Sequence, residues 1–258
     1  MSRLADRLAG AADRVALAGE EAAIRVESAW RRLAALGAFF RPFGRRPLTW
    51  GTLAVVLFCP LAMLLLDRPL ALALHDHVGA NLEGFFKTVT NLGLAEYYLV
   101  PAGLLWLVLW LRARGCLIPA ERRRRLDLAW RPGFLFLSVA ASGVAENLVK
   151  VTLGRLRPRL LFEKGLYGFQ PFNHEWAMNS FPSGHSQAAF AAMTALVILA
   201  PRYDLLWLLI AFLVAASRVV TTVHYLSDAV AGSWLGFAGA LLIARALRAR
   251  GIDVMGHR

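Results

Sequence analysis

The sequence predicts an all-α fold, a polytopic membrane protein with six transmembrane helices, and three observations carry that prediction. First, 58% of the 258 residues are hydrophobic, above the roughly one half expected of a soluble domain, and the mean hydropathy is +0.51. Second, six apolar stretches, residues 49–66, 97–111, 134–149, 183–200, 205–219 and 226–246, each read as one crossing of a hydrocarbon core that takes roughly 20 residues. Third, a net charge of +12 is segregated along the chain. Arginines crowd the segment before the first span, the loop after the second (Arg112, Arg114, Arg122 to Arg125, Arg131) and the tail (Arg245, Arg248, Arg250, Arg258). All three fall on one side of a six-span plan with both termini in the cytoplasm, as the positive-inside rule requires. The basic excess is thereby assigned to topology, and no nucleic-acid partner is expected.

The elements follow in order. Residues 1–48 form a cytoplasmic amphipathic segment, with Leu4, Leu8, Ala11 and Val15 at helical spacing and Arg3, Arg7 and Arg14 beside them. Such a helix suits the anionic lipids of a cytoplasmic leaflet, and packing on a partner or on the protein's own loops is the other reading. Residues 49–246 form the six-helix membrane domain and 247–258 a cytoplasmic tail. No cleavable signal peptide is expected, since the first long apolar stretch begins near residue 49. Between the first two spans, Leu82, Phe85, Phe86, Val89 and Leu92 predict a helix on the outer interface. His75 and His77, separated by one residue, point apart on a helix, so no metal site is expected there. Cys59 and Cys116 fall at different depths and are not expected to pair.

Chemistry concentrates at the outer ends of the last four spans. Lys150, Arg155, Arg157 and Arg159 gather on a side normally poor in cations, which calls for an anionic partner. Glu146 stands four residues before Lys150 and is read as its ion-pair partner. The following loop, with Phe162, Tyr167, Phe169, Phe172, Trp176 and Phe181, reads as resting in the outer headgroup layer, with His174 and Glu175 as candidates for headgroup recognition only. Ser180-Phe181-Pro182-Ser183-Gly184-His185 then opens into an apolar helix. A helix N-terminus offers free N–H groups and the positive end of the macrodipole, a ready phosphate site. The same pattern also describes a capped membrane helix beginning with an interfacial histidine. Past Ser217-Arg218, His224 and Asp228 stand four apart where the sixth span begins, placing both on one helical face so that the carboxylate can orient the imidazole.

Taken together, Lys150, six intervening residues and Arg157-Pro158, then Pro182-Ser183-Gly184-His185, then Ser217-Arg218 with His224 and Asp228, resemble the three-part signature of the type 2 phosphatidic acid phosphatase superfamily. The resemblance covers Lys150 to Asp228 by motif and the six-helix plan by topology. It implies a membrane lipid phosphatase that uses His224 as nucleophile, Asp228 to hold its ring and His185 as general acid. Lys150, Arg157 and Arg218, with the Ser183 hydroxyl and the Gly184 N–H, would hold the phosphate. No metal or other cofactor is implied, and Arg155 and Arg159, outside the signature, are expected to face lipid. A lipid-to-lipid phosphotransferase keeps the same residues. A transporter or lipid binder without chemistry fits less well, because the charges crowd one face rather than a mid-bilayer path. The implied substrate is a lipid phosphate or diphosphate met at the outer face, and the compact size with no expected signal peptide places that face on the periplasmic side of a bacterial inner membrane as an expectation. Undecaprenyl diphosphate, phosphatidic acid, phosphatidylglycerophosphate and lipid A are the candidates.

Overall fold

A computed structural model of the chain describes residues 46–173 and 175–254. The amphipathic segment expected over residues 1–45, His174 and the last residues of the tail lie outside the described residues. Two compact units divide the chain, residues 1–51 and 52–258; the first contributes the opening residues of helix α1 (Pro47–Leu65), and everything described below belongs to the second. The elements that follow are α2 (Asp67–His77), α3 (Ala80–Val89), a 3₁₀ turn Thr90–Gly93, α4 (Glu96–Arg114), α5 (Pro119–Leu153), α6 (Pro158–Lys164), a 3₁₀ turn Trp176–Met178, α7 (Gly184–Leu199), a 3₁₀ turn Pro201–Tyr203, α8 (Asp204–Val220) and α9 (Leu226–Ala249).

Among the described residues five stretches are long and apolar enough to cross a membrane: Pro47–Leu65, Ala80–Arg114, Pro119–Leu153, Pro201–Val220 and Leu226–Ala249. The sixth expected span is the shorter α7, whose 16 residues rise about 24 Å against a hydrocarbon core of about 30 Å. It is the hub of the unit. Every residue from Ser186 to Ala195 is buried, and α5, α8, α9 and the turn Thr90–Gly93 all pack on it.

Two expectations about the connections need correcting. The interfacial segment holds two helices, α2 and α3, where one was expected; α3 keeps its apolar residues exposed, Leu82 and Phe85 at 50% and 53%, as an interfacial element does. The arginine-rich stretch Arg122 to Arg131, expected in a loop, is the first three turns of α5. Pro119 supplies a preset φ at the first turn, and Glu121 accepts from Arg125 at 3.0 Å one turn on, so these good helix formers extend the span instead of interrupting it.

Close backbone approach, made possible by glycine, sets the position of α9. A Cβ on Gly232 would fall 2.3 Å from the carbonyl oxygen of Ser183, and one on Gly236 would fall 2.2 Å from that of Gln187. With Gly232 and Gly236 four apart, α9 presents the small-xxx-small face that lets membrane helices meet backbone to backbone. Between α5 and α7, Gln187 donates Nε2 to Ser142 Oγ at 2.6 Å, a side-chain bond of the kind that fixes helix register where water is absent. The core around these contacts is Val139, Ala188, Ala191, Ala192 and Met193.

Gly236→Leu is expected to cost about 1–3 kcal/mol or more by overpacking and to lower the thermal midpoint in detergent sharply. Gly84→Ala, whose Cβ would meet nothing within 4 Å, should leave the midpoint unchanged or raise it slightly.

Candidate active site

The C-terminus of α5, the N-terminus of α7, the C-terminus of α8 and the N-terminus of α9 supply the site. Helix α5 ends at Gly154, in the left-handed region at φ 57°. A Cβ there would lie 1.8 Å from the carbonyl oxygen of Gln170, so only glycine lets the chain turn at this point. Beyond it the segment is stitched to the loop that follows: Leu156 N–H donates to Gly168 O, Arg157 N–H to Ala177 O, and Ser180 N–H to Arg155 O at 2.8 Å. These bonds aim Arg155 and Arg157 inward. Arg157, 5% exposed, donates Nε to Trp176 O at 2.9 Å and Nη2 to Asn179 O at 3.3 Å, and its guanidinium lies 3.9 Å from the Trp176 ring centre.

At the head of α7, Ser183 is the N-cap; its oxygen accepts from Ser186 N–H at 3.5 Å and from the Ser186 hydroxyl at 3.1 Å. Ser183 N–H donates to Asp228 O at 2.9 Å, which joins the second motif to the third. Gly184 faces the first motif, for a Cβ there would lie 3.2 Å from Glu146 Oε1 and 3.5 Å from Lys150 Nζ. The expected Glu146–Lys150 ion pair is formed. His185 lies against Gly93, where a Cβ would come within 2.9 Å of the His185 Cβ. A groove of about 910 Å³ opens beside these residues, lined by Glu146, Lys150 and His185 together with apolar Leu99, Val139 and Leu148.

The third motif differs in geometry from the expectation of a shared helical face. Helix α9 begins at Leu226, so His224 precedes the helix, and Tyr225 is the N-cap. Asp228 closes a capping box by accepting from Tyr225 N–H at 2.9 Å. His224 Nδ1 stands 3.6 Å from Asp228 Oδ2, too long for a direct hydrogen bond. Ser180 bridges the two: its hydroxyl donates to Asp228 Oδ2 at 2.5 Å and lies 3.3 Å from His224 Nδ1. On the other side of the ring, Arg157 Nη1 lies 3.4 Å from Nε2. A guanidinium can only donate, so Nε2 is the lone-pair nitrogen and Nδ1 carries the proton that Ser180 accepts. Burial, reinforced by the charges of Arg157 and Arg218 and opposed by Asp228, pushes the imidazole pKa down to about 3.

One further cation completes the cluster. Arg218, 8% exposed, donates Nη1 to Thr90 Oγ1 at 2.6 Å, and its buried Nε has no hydrogen-bond partner among the described residues. Burial, with the positive charge of Arg218 second, pushes the Arg157 pKa down to about 10. Two crowded, buried guanidiniums with mostly neutral acceptors make a site that favours an anion.

Arg155 is not lipid-facing as expected. It is 1% exposed and pairs with Asp67 and Asp228. Arg159 is exposed and bonds Glu163 at 2.7 Å. Glu175 is exposed, its backbone N–H donating to Asn173 Oδ1. His77 Nδ1 bonds Ala73 O and His75 stacks on Phe162. Cys59 and Cys116 are both free thiols. Sequence reasoning missed Ser180, Arg155 and Asp67. A polar residue just before the Pro182 turn was a usable signal for Ser180; Asp67 is 88 positions from Arg155, and no spacing rule connects them.

The family model of the PAP2 superfamily matches residues 132–252. The lipid A 1-phosphatase of Rhizobium johnstonii is 33% identical over 217 residues, 78% of this chain and 84% of that protein. The chain belongs to the PAP2 superfamily. It is a membrane lipid phosphatase of the PAP2 type. Two solved PAP2-fold structures share its architecture. The transmembrane PAP2-type phosphatidylglycerolphosphate phosphatase of Bacillus subtilis matches with TM-score 0.57 at 20% identity, covering 80% of this chain and 97% of that one. Aquifex aeolicus LpxE matches with TM-score 0.51 at 22% identity, covering 70% of this chain and 95% of that one.

Removing the bridging hydroxyl in Ser180→Ala should lower kcat about 10- to 100-fold, the scale for losing a hydrogen bond to a charged group, with KM little changed in steady-state phosphate release. Because the folded pKa of His224 lies below its ordinary 6.5, the unfolded chain takes up the proton first as pH falls. Its effect is absent above about 6.5 and costs stability progressively toward pH 3. Thermal midpoints at pH 7 and pH 5 should show this decline, and His224→Gln should show less of it.

Proposed function

We propose that this PAP2-type membrane phosphatase hydrolyses the phosphate ester of a membrane glycolipid of the lipid A class, without a metal, through a phosphohistidine on His224. The observation that carries the reading is the orientation of His224: a neutral ring whose unprotonated Nε2 faces Arg157 Nη1 at 3.4 Å while its Nδ1 is engaged by Ser180. An imidazole held this way is a ready nucleophile at neutral pH.

In the first step the Nε2 lone pair attacks phosphorus in line, the bond from phosphorus to the lipid oxygen breaks, and His185 gives its proton to that oxygen. In the second, water attacks phosphorus while His185 takes a proton from that water, the phosphorus–nitrogen bond breaks, and phosphate leaves with the Nε2 lone pair restored. Lys150, Arg157 and Arg218 hold the phosphate oxygens and their developing charge. The Ser183 oxygen accepts two bonds from Ser186, which leaves its own proton to donate, and the Gly184 N–H sits in the first turn of α7. The Asp228 carboxylate stabilises the positive charge on the phosphorylated ring through Ser180.

The lipid A class is favoured by the 33% identity to a lipid A 1-phosphatase over most of that protein's length. On this reading residues 49–246 are the phosphatase domain, six helices cross a bacterial inner membrane, and the site opens to the periplasm. The basic end of α5, where Arg123, Arg124, Arg125 and Arg131 line a cavity of about 750 Å³, contacts anionic lipids of the cytoplasmic leaflet together with the N-terminal segment.

Purified protein offered lipid A, undecaprenyl diphosphate, phosphatidic acid and phosphatidylglycerophosphate should release phosphate fastest from lipid A, in EDTA as in its absence. His224→Ala should lower that rate about 10⁴-fold or more while still inserting and folding. Faster turnover of another lipid would overturn the substrate class, retained turnover in His224→Ala the nucleophile, and loss in EDTA the metal-free step.

A further inference from the structure

Arg155 is the most completely engaged side chain near the site. Its Nη1 donates to Asp228 Oδ1 and, at 2.7 Å, to Ser227 Oγ; its Nη2 donates to Asp67 Oδ2 at 2.8 Å and to Tyr167 Oη at 3.0 Å. The guanidinium also lies 4.3 Å from the ring centre of Tyr225. Asp67, 1% exposed and the first residue of α2, accepts from Ser227 N–H at 3.0 Å and from the Ser227 hydroxyl as well. Burial works against the charge of Arg155, yet the two carboxylates hold its pKa above the ordinary arginine value.

This arrangement constrains Asp228. With Oδ1 taken by Arg155, the carboxylate presents Oδ2 to Ser180 and to the backbone N–H of Tyr225. Were Arg155 free to swing, the carboxylate would rotate about its terminal torsion, which is intrinsically soft, and Ser180 would no longer be fixed beneath Nδ1 of His224. Arg155 is kept from swinging by Asp67, which occupies the other end of the planar fork.

We propose that Arg155 and Asp67 form a positioning pair for the nucleophile, in which Asp67 of α2 fixes Arg155, Arg155 fixes Asp228, and Asp228 through Ser180 fixes the ring of His224. The inference rests on reading His224 as the residue that accepts the phosphate. The pair acts through Asp228: Asp67 bonds Arg155 and Ser227, and the phosphate-holding cations are other residues.

The test is a double-mutant cycle on the full-length protein in detergent. Asp67→Asn keeps the shape and an acceptor for Ser227 but removes the charge that pins Arg155. It should lower kcat about tenfold and leave KM within about twofold, the pattern of a lost transition-state interaction. In an Asp228→Asn background the same change should alter the residual kcat less than about twofold, since residues acting as one unit are not additive. Arg155→Lys, a point charge unable to span both carboxylates, should behave like Asp67→Asn and serves if that variant does not fold. An unchanged kcat, or an equal loss in both backgrounds as a merely structural role gives, overturns the proposal.

A second readout needs no turnover. The ring-nitrogen spectrum of ¹⁵N-histidine protein, with His224 assigned by its disappearance in His224→Ala, should show one neutral tautomer protonated at Nδ1, and a mixture in Asp67→Asn or Arg155→Lys. An unchanged single tautomer overturns the positioning role. The spectrum stays informative even where the lipid assay refutes the substrate class or the nucleophile, so the two readings fail separately.

Discussion

The N-terminal ends of α7 and α9 meet backbone to backbone, and the geometry of the candidate site depends on that meeting. Ser183 N–H donates to Asp228 O at 2.9 Å, and the approach is possible because Gly232 and Gly236 carry no side chain where the backbone of α7 passes. Two consequences follow. The positive ends of two helix dipoles converge, and Asp228, in the first turn of α9, faces the segment that carries Ser180. One packing device thus makes the anion-favouring field and assembles the imidazole relay. Helix α7 can be short and almost wholly enclosed because its role is to be packed against on every side.

Within an apolar bundle an ionised group is costly unless it is paired, and the buried charges here sort by how they are satisfied. Arg155 is shared between two carboxylates, Asp67 and Asp228. Arg157 donates to two carbonyl oxygens and leans on a tryptophan ring, while Arg218 donates to a threonine hydroxyl and leaves its Nε unpartnered. A cation held between two carboxylates, as Arg155 is, has little charge left for a ligand. A cation given only neutral acceptors, and crowded by another of the same sign, is stabilised by an incoming anion.

Much of this was legible in the sequence, and the limits are physical. Hydropathy runs located the long helices because a bilayer imposes length and polarity on each one separately. The three motifs were legible because each is local: cations gathered just past the third span, a helix N-terminus at Ser183, and His224 with Asp228 four positions on. The basic end of α5 is helical where the sequence suggests a loop, because Arg, Glu, Ala and Leu are all good helix formers and charge density alone does not end a helix. The fate of Arg155 was misjudged for another reason. Its partner Asp67 lies at the start of α2, and only the folded chain brings the two together. The shared helical face expected for His224 and Asp228 failed by two residues, because the helix begins at Leu226 and the pair is joined through Ser180.

The placement of Asp67 also gives the interfacial helices a share in the site. Helix α2 sends Asp67 to Arg155 and Ser227, and the turn after α3 sends Thr90 to Arg218 while Gly93 abuts His185. Helix α3 has no fully buried residue, and beside the apolar packing of Ala71 on Leu161 and Tyr225 the segment is tied to the bundle by polar bonds that fall on residues of the candidate site. The bonds form one chain from Asp67 of α2 through Arg155 to Asp228, so the start of α2 and the carboxylate beside His224 share a single guanidinium, and neither can be moved without disturbing the partner of the other.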